Sequence, residues 1–392
     1  MKIDEMLEKY CKNGVKFYKL DEIVDFLNGK GHEKNIVENG RYIVVNSKFI
    51  STDGDTKKFS NEQTCPVYKD DILMVMSDLP NGRALAKCFY VEDDDKYTLN
   101  QRICALRVKD KDLINTRFLY YYSNRNSQLL RYDNGVDQTN LKKDDILNIR
   151  VAVPPLEVQC EIVHILDDFT LLSAELSAEL KARQNQYNYY RDKEMLNAKN
   201  VVKYKLNEIA EIYDGTHQTP KYIDSGIDFI SVENIKDIYN SKKYISIDDY
   251  NKYKIKPKLN DIFMTRIGTI GKCTVFNKQK DLAYYVSLAL IRPNNNIVDS
   301  YYLKYLIESI IGIKELRKRT LVNAVPIKIN KDDIGKLVLP IPPLEEQKRI
   351  VNILDRFDKL CNNISEGLPA EIEARQKQYE YYREKLLTFK EK

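Results

Sequence analysis

The sequence predicts an α+β protein in which two tandem, β-rich lobes alternate with two long helices that pair as an antiparallel coiled coil. The first observation is an internal repeat: "VPPLEVQCEIVHILDDF", which begins at Val153, returns as "IPPLEEQKRIVNILDRF" from Ile341. The second is the heptad-like spacing of apolar residues in both copies, and the third is a set of short β-type runs between them. Because a long repeat fixes the architecture of a chain, we expect a pseudo-twofold internal duplication.

The repeat covers most of the chain. Downstream, "KARQNQYNYYRDKEML" parallels "EARQKQYEYYREKLL", with four additional residues around "SEGLP" in the second copy. At the front of each half, "FYKLDEIVDFL" parallels "KYKLNEIAEIY". The predicted order is therefore a first lobe over 1–153, a first helix over 154–199, a second lobe over 200–341 and a second helix over 342–392.

Each helix is predicted to begin at a Pro-Pro-Leu-Glu string that follows a strand-like run. Proline cannot continue a sheet ladder, but its fixed φ suits the first turn of a helix. Apolar residues then recur in steps of three and four, at Ile162, Ile165, Phe169, Leu172, Leu176 and Leu180, and at Ile350, Ile353, Phe357, Leu360 and Ile364. Such a seam favours pairing of the two helices; the alternative is that each helix packs on its own lobe. Gly367 and Pro369 should kink or restart the second helix, because proline costs about 3 kcal/mol inside one.

The lobes have the pattern of mixed structure. Runs such as "RYIVVN", "DILMVM", "ICALRV" and "VSLALIRP" have the composition of strands and are separated by Asn, Asp and Gly turns. Each lobe also contains one predicted helix, near "NTRFLYYYSN" and "DSYYLKYLIESI". We therefore expect α+β lobes built around a curved sheet.

Composition narrows the class of protein. No apolar run reaches the roughly 18–20 residues that span a bilayer, and "MKIDEMLEKY" has no apolar signal core, so we expect a cytoplasmic protein. The seven cysteines form no C-x-x-C pair, which favours reduced thiols over a disulfide framework or a zinc site. The formal net charge is +5, but residues 200–341 hold 23 Lys and Arg against 16 Asp and Glu. This local basic excess is compatible with a phosphate-facing surface.

Known catalytic motifs are absent from the sequence. "RIGTIGKCT" departs from a phosphate-binding loop at its first glycine, which is Arg266, and at its last position, which is Cys273. There is no G-x-S-x-G or H-E-x-x-H string, and only three histidines are present. The Pro-Pro pairs lack the flanking residues of the adenine methyltransferase motif, since Val153 and Leu156 take those places in the first copy. We expect a binding protein with no catalytic residue and no metal site.

Two related lobes held apart by a helical spacer would suit a ligand with two separated half-sites, such as DNA. The second lobe offers polar loops and a basic helix end that could read bases or bind phosphates: His217, Gln218, Thr219 and Lys221 in "DGTHQTPKY", Arg266 and Lys272 in "TRIGTIGK", and Lys314, Arg317, Lys318 and Arg319 in "KELRKRT". The first lobe offers Arg41, Lys48, Lys57, Lys58, Arg83, Lys87, Gln138 and Asn140. The alternative for any one of them is a solvated turn or an ordinary basic helix end.

In these features the chain resembles the specificity subunits of type I restriction–modification systems, over essentially its whole length. The most specific matches are the paired "PPLE-x-Q" helix starts and "ARQ-x-QY-x-YYR" helix ends, and "GTHQTPKY" and "GIDFISVENI" are similar to family strings. The resemblance implies two target-recognition domains, over 1–153 and 200–341, each reading one half of a bipartite, asymmetric sequence in double-stranded DNA. It also implies two conserved spacer helices, over 154–199 and 342–392, which set the distance between the halves.

The resemblance further implies partners and cofactors. Two methyltransferase subunits would dock on the helices and methylate an adenine in each half with S-adenosylmethionine. Motor-nuclease subunits would add translocation and cleavage with ATP and magnesium, so the chain itself would hold no cofactor and DNA methylation would belong to its partners. Residues of the helix seam or the partner interface would be Gln159, Phe169, Tyr187, Tyr190, Arg191, Gln347, Phe357, Tyr379, Tyr382 and Arg383. Two alternatives stay open: a coiled-coil scaffold or adaptor that binds protein or RNA through its two lobes, and an enzyme with another kind of site.

Overall fold

The computed structural model describes residues 3–79, 84–362 and 367–392, which form two compact units. Unit 1 consists of the chain up to Glu175 together with the segment Ile372–Lys392. Unit 2 is the continuous segment Leu176–Glu371. The units differ from the predicted lobe and helix boundaries, because each unit combines one lobe with part of both long helices.

The described residues of unit 1 form six short α-helices, the first part of one long helix and the C-terminal part of the other. The helices that begin in it are α1 (Ile3–Cys11), α2 (Leu20–Ile23), α3 (Ser47–Ser51), α4 (Thr116–Ser123), α5 (Ser127–Leu130), α6 (Lys143–Leu147) and the long α7 (Leu156–Asn197). Its strands are β1 (Lys16–Lys19), β2 (Val24–Asn28), β3 (Ile36–Val37), β4 (Tyr42–Val45), β5 (Phe59–Ser60), β6 (Ile72–Val75), β7 (Ser77–Asp78), β8 (Cys88–Tyr90), β9 (Tyr97–Leu99), β10 (Ile103–Val108), β11 (Thr139–Asn140) and β12 (Arg150–Val153).

Unit 2 repeats this order of elements with small differences. Its strands are β13 (Val202–Lys205), β14 (Ala210–Asp214), β15 (Ile227–Ile230), β16 (Tyr244–Ile245), β17 (Ile262–Thr265), β18 (Cys273–Val275), β19 (Leu282–Tyr284), β20 (Leu288–Pro293) and β21 (Val338–Ile341). The helices that begin in it are α8 (Leu206–Ile209), α9 (Ile247–Asn251), α10 (Ser300–Glu308), α11 (Ile310–Arg317), α12 (Lys331–Gly335), α13 (Leu344–Asn362) and α14 (Leu368–Leu387). The second long helix thus restarts beside Gly367, as the glycine and proline there predict.

Each unit is built on a four-stranded antiparallel sheet with the same arrangement, β2-β10-β6-β8 in unit 1 and β14-β20-β17-β18 in unit 2. The sheet is covered on both faces. In β6, Ile72 and Met74 pack in one hydrophobic cluster, while Leu73 and Val75 pack in another. Because side chains alternate between the two faces of a strand, burial on both faces requires the unbroken apolar run "ILMV". The α+β class predicted from such runs is confirmed.

Two further sheets occur in both units, and unit 1 also contains the antiparallel pair β7-β11. A smaller sheet, β3-β5-β4-β9 in unit 1 and β16-β15-β19 in unit 2, contains one parallel pair. An outer antiparallel pair, β1-β12 or β13-β21, joins the first strand of the lobe to the strand that leads into a long helix. The repeated sequence therefore folds into a repeated frame, as the duplication predicts.

The start of α7 is held by a buried glutamine. Gln159 accepts a hydrogen bond from the backbone N–H of Asn115 at 2.8 Å and donates to the carbonyl oxygens of Leu113 at 3.1 Å and Pro154 at 2.7 Å. The side chain is fully buried against its own lobe. This corrects the assignment of Gln159 to the helix seam or a partner interface, because both ends of its amide are already used.

Gln347 makes the same contacts at the start of α13. Its side-chain oxygen accepts from the backbone N–H of Asp299 at 2.7 Å, and its amide donates to the carbonyl oxygens of Ile297 at 2.9 Å and Pro342 at 2.8 Å. The repeated "PPLE-x-Q" is therefore a structural joint between a lobe and a helix. The seam assignment of Gln347 is corrected for the same reason.

The long helices pair within each unit through stacked aromatic rings. In unit 1, Phe169 of α7 stacks on Tyr382 of α14 with ring centroids 5.4 Å apart, and Tyr379 lies edge-on at 6.5 Å. In unit 2, Tyr190 of α7 stacks on Phe357 of α13 at 5.5 Å. The first part of α7 thus meets the last helix segment, and its second part meets the earlier one, which is the order of partners in an antiparallel pair. These five residues lie where the long helices meet, at positions of the predicted seam.

Other residues of the helices pack on the lobes. Val158 and Leu386 lie in the core of unit 1, and Met195 and Ile350 lie in the core of unit 2. The two alternatives posed by the sequence, helix pairing and packing on a lobe, therefore both hold. The 3.6-residue period lets one helix present different faces to a helix and to a sheet.

Two of the predicted seam residues, Arg383 and Tyr187, contact a lobe. Arg383 donates to the carbonyl oxygens of Tyr121, at 3.0 Å, and of Asn124, at the C-terminal end of α4. Its counterpart Arg191 is buried in unit 2 and lies over the ring of Tyr187. Tyr187 is buried and meets Tyr305 of α10 edge-on, with ring centroids 6.5 Å apart. Arg383 and Tyr187 thus join a long helix to a lobe, which corrects their assignment to the helix–helix seam, whereas the role of Arg191 stays a prediction.

Candidate nucleic-acid interface

Three loops of unit 2 meet at one end of its four-stranded sheet, where β14 and β17 end and β20 begins. The backbone N–H of Gly268 donates to the carbonyl oxygen of Ile327 at 2.8 Å, and Ile267 forms an isolated bridge with Lys328. An ion pair between Asp214 and Arg266 connects the loop that begins at Asp214 to the loop that begins at Arg266. We call residues 214–222, 266–268 and 321–328 the loop surface of unit 2.

The Gly215 position shows how closely these loops approach the sheet. A Cβ atom there would lie 2.5 Å from the carbonyl oxygen of Tyr285, so only glycine fits. The equivalent Gly29 of unit 1 has the same constraint against Asn100. In both units, therefore, the chain leaves the central sheet at a glycine that passes close to the backbone of a neighbouring segment.

Arg266 lies beneath the loop surface of unit 2. Its side chain is 8% exposed, and its Nε is buried without a hydrogen-bond partner among the described residues. Burial lowers the pKa of the guanidinium from its ordinary value. The prediction that Arg266 contacts DNA is corrected in this respect, because the side chain is turned to Asp214 and away from solvent.

The other predicted residues of the "DGTHQTPKY" loop are exposed. His217 has 71% of its side chain exposed, with Nε2 3.9 Å from a carboxylate oxygen of Asp214. Gln218, Thr219 and Lys221 are also exposed. The loop base is held by Thr216, whose hydroxyl donates to the carbonyl oxygen of Gln218 at 3.1 Å. The structure thus brings four of the sequence-predicted polar groups together on one exposed loop.

The remaining basic candidates of unit 2 lie elsewhere. Lys272 lines a groove of about 1000 Å³ that also includes Arg191 and Lys304. Lys318 and Arg319 follow α11 and pair with Glu315. Arg317 and Lys314 are exposed on the same helix. The carboxylate of Glu315 offsets the positive charge of Lys318 and Arg319. Arg317 and Lys314 are therefore the better candidates on this helix for contacts with DNA phosphates.

An apolar segment completes the loop surface of unit 2. Leu321, Val322, Val325 and Ile327 are all exposed, and Val325 is 99% exposed. Apolar side chains can contact thymine methyl groups in the major groove or enter base steps in the minor groove. The sequence analysis missed this segment, although the string "TLVNAVPIK" has neither the period of a helix nor that of a half-buried strand.

Unit 1 has an equivalent surface with different side chains. Its β7–β11 pair, which joins Ser77 to Asn140, corresponds in position to the Ile267–Lys328 bridge. A pocket of about 320 Å³ is lined by Met76, Ser77, Gln101, Arg102, Gln138, Asn140 and Leu141. We call these seven residues the loop surface of unit 1. Gln138 donates to the hydroxyl of Ser77 at 2.8 Å and to the side-chain oxygen of Asn140 at 3.3 Å, and its role in DNA binding stays a prediction.

The sequence analysis missed Gln101 and Arg102. Both are exposed and lie between β9 and β10. Arginine can bind guanine and glutamine can bind adenine bidentately in the major groove. The signal was the polar string "NQR" directly before the buried run "ICALRV", because a rigid strand holds the loop side chains next to it in place.

Most other basic candidates of unit 1 lie outside this surface. Arg41 pairs with Asp95 at 2.6 Å, and Lys87 pairs with Asp53 at 2.8 Å. Exposed lysines near the smaller sheet are Lys48, Lys57 and Lys58. Arg83 lies outside the described residues. Among the described residues, the structure therefore does not gather the predicted basic residues Arg41, Lys48, Lys57, Lys58 and Lys87 around Gln138.

The sheet registers allow the two loop surfaces to be compared position by position. Asn28 of β2 occupies the place of Asp214, and Met76 occupies the place of Arg266. Through their matching backbone hydrogen bonds to these positions, Arg102 corresponds to Ser287, and Leu141 corresponds to Ile329. The frame is thus conserved between the units while the exposed chemistry differs.

Among the described residues, no group of His, Cys, Asp or Glu side chains is arranged to hold a metal ion. In the same part of the chain, no helix is long and apolar enough to cross a membrane. What the structure does show is a duplicated α+β frame that carries two dissimilar polar loop surfaces.

Comparison with known proteins identifies the family. The model of the type I restriction modification DNA specificity domain matches residues 12–183 and again residues 198–374. The specificity subunit of the Escherichia coli type I restriction enzyme EcoR124I/EcoR124II is 36% identical over 244 residues, 60% of each chain. A Haemophilus influenzae protein, named as a candidate type I restriction enzyme specificity subunit, is 34% identical over 75% of this chain and 77% of its own. The chain therefore belongs to the family of type I restriction–modification specificity subunits.

Solved structures show the same fold. The S subunit of the type I restriction–modification system of M. genitalium covers 95% of this chain and 96% of its own, with a TM-score of 0.54 and 13% identity. A chain from a structural study of type I system assembly and conformational transition covers 95% and 97%, with a TM-score of 0.56 and 17% identity. At these identities the likeness establishes the fold.

Proposed function

We propose that the loop surface of each unit reads one half of a bipartite, asymmetric DNA sequence, and that the paired long helices set the distance between the halves. The observation that carries this proposal is the contrast between a repeated frame and unlike loop surfaces. Unit 1 presents Arg102, Gln138 and Asn140, whereas unit 2 presents His217 and Gln218 at the same end of its sheet. Two copies selected to read the same sequence would not need to differ there.

The second lobe carries an excess of positive charge, which favours binding to DNA. Residues 200–341 carry 23 Lys and Arg against 16 Asp and Glu, and phosphate contacts supply much of the affinity of a protein for DNA. Sequence is then read by the few side chains that reach base edges. The exposed glutamine and arginine groups are of the types that discriminate adenine and guanine.

The chain is proposed to act without catalysis and in a complex. Two methyltransferase subunits would dock on the long helices and carry S-adenosylmethionine, and motor-nuclease subunits would carry ATP and magnesium. We place the complex in the cytoplasm, where it would meet DNA. In support, α7 presents exposed residues such as His164 and Leu171.

Exchange of one lobe tests the proposal. Residues 200–341 are replaced by the corresponding segment of another family member, and the chain is co-expressed with the methyltransferase subunit of its system. Genome-wide sequencing of methylated adenines should show one changed half-site and one unchanged half-site. The reciprocal exchange of residues 1–153 is the matched control and should change the other half.

The result would contradict the proposal if both halves changed together or if neither did. A scaffold that binds protein or RNA is the second candidate, favoured by the exposed apolar segment around Val325. For such a scaffold, the complex would select no split DNA sequence from a random pool.

A further inference from the structure

The Asp214–Arg266 ion pair joins two loops of the loop surface of unit 2. Asp214 is the last residue of β14, and Arg266 directly follows β17, so the pair spans the ends of two strands that both pair with β20. His217, on the exposed loop, lies 3.9 Å from the same carboxylate group. The pair thus connects the frame of the sheet to the loop that carries His217, Gln218 and Thr219.

The backbone on both sides of the pair is fixed. The N–H of Arg266 donates to the carbonyl oxygen of Ser287, and its carbonyl oxygen accepts from the N–H of Ile329, both at 3.0 Å. Beyond Asp214, the N–H of Thr216 donates to the carbonyl oxygen of Tyr284 at 3.1 Å. With both anchor points held, an ion pair between them determines the direction in which the loop leaves the sheet.

A contribution to stability does not explain why the Asp214–Arg266 ion pair is present. Arg266 is 8% exposed and its buried Nε has no partner in the described part of the chain. Burying an incompletely bonded charged group opposes folding, and apolar residues in such places are often equally stable. Unit 1 shows that this fold accepts the uncharged pair Asn28 and Met76 at the equivalent positions.

A second ion pair provides the contrast. Arg292 binds Asp261 through two hydrogen bonds of 3.0 and 2.8 Å at the opposite end of the same sheet. Unit 1 keeps this pair, as Arg107 and Asp71, with two bonds of 2.8 Å. The frame therefore retains one ion pair in both copies, whereas the pair under the loop surface is present in unit 2 alone.

We infer that Asp214 and Arg266 are positioning residues that determine which bases unit 2 reads. They do this by fixing the His217–Thr219 loop relative to the 321–328 loop, and Arg266 itself does not touch DNA. The inference rests on the proposed function and adds to it a buried determinant of specificity.

The test is the double substitution Asp214→Asn with Arg266→Met, which installs the residues of unit 1. The full complex with methyltransferase subunits is used, and methylated sequences are mapped. We expect the half-site of unit 2 to become degenerate at one or more positions, with about ten- to a hundredfold slower methylation of the original sequence, the range set by loss of one or two base contacts. The half-site of unit 1 should be unchanged.

Two further variants make the result specific. Asp261→Asn with Arg292→Met removes the pair at the opposite end of the same sheet, and it should leave the sequence read by unit 2 unchanged. Arg266→Lys keeps the charge of the pair but loses the planar fork, and it should restore part of the original specificity. If the ion pair served stability alone, all of the folded variants would keep the wild-type sequence preference.

An unchanged half-site and unchanged methylation rate in the Asn/Met variant would overturn the inference. If that variant does not fold, the single substitution Asp214→Asn takes its place, and a folded Asp214→Asn complex with the wild-type sequence preference would overturn the inference as well. Failure of the proposed function has a different signature, because the wild-type complex would then methylate no bipartite sequence.

Discussion

Phe169 and Tyr382 stack with ring centroids 5.4 Å apart and planes inclined by 26°, although 213 positions of the chain separate them. Their duplicates Phe357 and Tyr190 stack at 5.5 Å and 23° in unit 2. The two pairs are related by exchange of the repeated helical segments: α7 gives Phe169 and Tyr190, whereas α13 gives Phe357 and α14 gives Tyr382. Stacked aromatic pairs of this kind stabilise the fold beyond the hydrophobic contribution of the area that they bury.

Phe169→Ala should lower the free energy of unfolding by about 2 kcal/mol. The value is below the roughly 3–5 kcal/mol typical of a fully buried phenylalanine, because Phe169 is half-buried. Denaturant unfolding of the purified chain measures the effect. Leu171→Ala, at a 60% exposed position of the same helix, is the control. Equal effects of the two substitutions would mean that the stacked pair contributes nothing to stability.

Gln159→Met should destabilise unit 1 by about 1–3 kcal/mol. The side chain keeps its length, but the N–H of Asn115 and two carbonyl oxygens lose their buried partner. Gln347→Met should have the same effect in unit 2, because the contacts are repeated there. Thermal unfolding of each variant gives the comparison, with Gln376→Met at an exposed helical position as the control. The joint would be unimportant if all three variants unfolded like the wild type.

Arg102→Ala should relax the sequence read by unit 1. A bidentate arginine contact to guanine is worth about 1–3 kcal/mol of discrimination, so one position of that half-site should become degenerate. Arg41→Ala should instead weaken binding to all sequences slightly, since Arg41 is paired with Asp95 and outside the loop surface. Methylation mapping and the salt dependence of binding separate the two effects. The assignment of Arg102 fails if its removal weakens all sequences equally.

Alkylation at pH 8 should modify Cys160 well before the buried cysteines. Burial raises the pKa of Cys104 to about 12 and raises the pKa of Cys88 and Cys273 well above the ordinary range. Since the thiolate is the nucleophile, Cys104 has roughly a thousandfold less of the reactive form at this pH than an ordinary thiol. Cys160 is exposed on α7. Peptide mapping after timed alkylation measures the order, and early labelling of Cys104 in folded protein would contradict its burial.

The parts of the fold that sequence predicts are those with local signals. The Pro-Pro-Leu-Glu string placed the start of α7 within a few residues, and the apolar period extended it close to Asn197, where the helix ends. The "NTRFLYYYSN" and "DSYYLKYLIESI" strings gave α4 and α10. Local propensity, capping and periodicity determine these elements, and all three can be read in a short window.

The division of the chain into two units could not be predicted from short stretches of the sequence. The apolar seam contains Phe169 and Phe357, which face another helix, while the neighbouring Gln159 and Gln347 face backbone groups of a lobe. A glutamine beside an apolar seam gives no sign of which backbone groups will satisfy it. Only long-range folding brings the N–H of Asn115 to the side chain of Gln159.

The candidate site was predicted in part for a similar reason. The "DGTHQTPKY" loop could be recognised from its polar composition, and His217 and Gln218 are exposed as expected. The burial of Arg266 depends on Asp214, 52 positions earlier, and the exposure of Arg102 depends on how β9 and β10 leave the sheet. A basic residue in a glycine-rich loop has the same sequence pattern whether it faces solvent or a carboxylate.

The composition of the units also bears on the order in which they can form during synthesis. Unit 2 is one continuous segment, so all of its residues have left the ribosome once Glu371 has cleared the exit tunnel. Unit 1 must wait for residues near the end of the chain: Leu386 lies in its core, and Glu391 forms a bridge with Val15 and an ion pair with Arg150. The half of the protein that is translated first is therefore the half that is completed last.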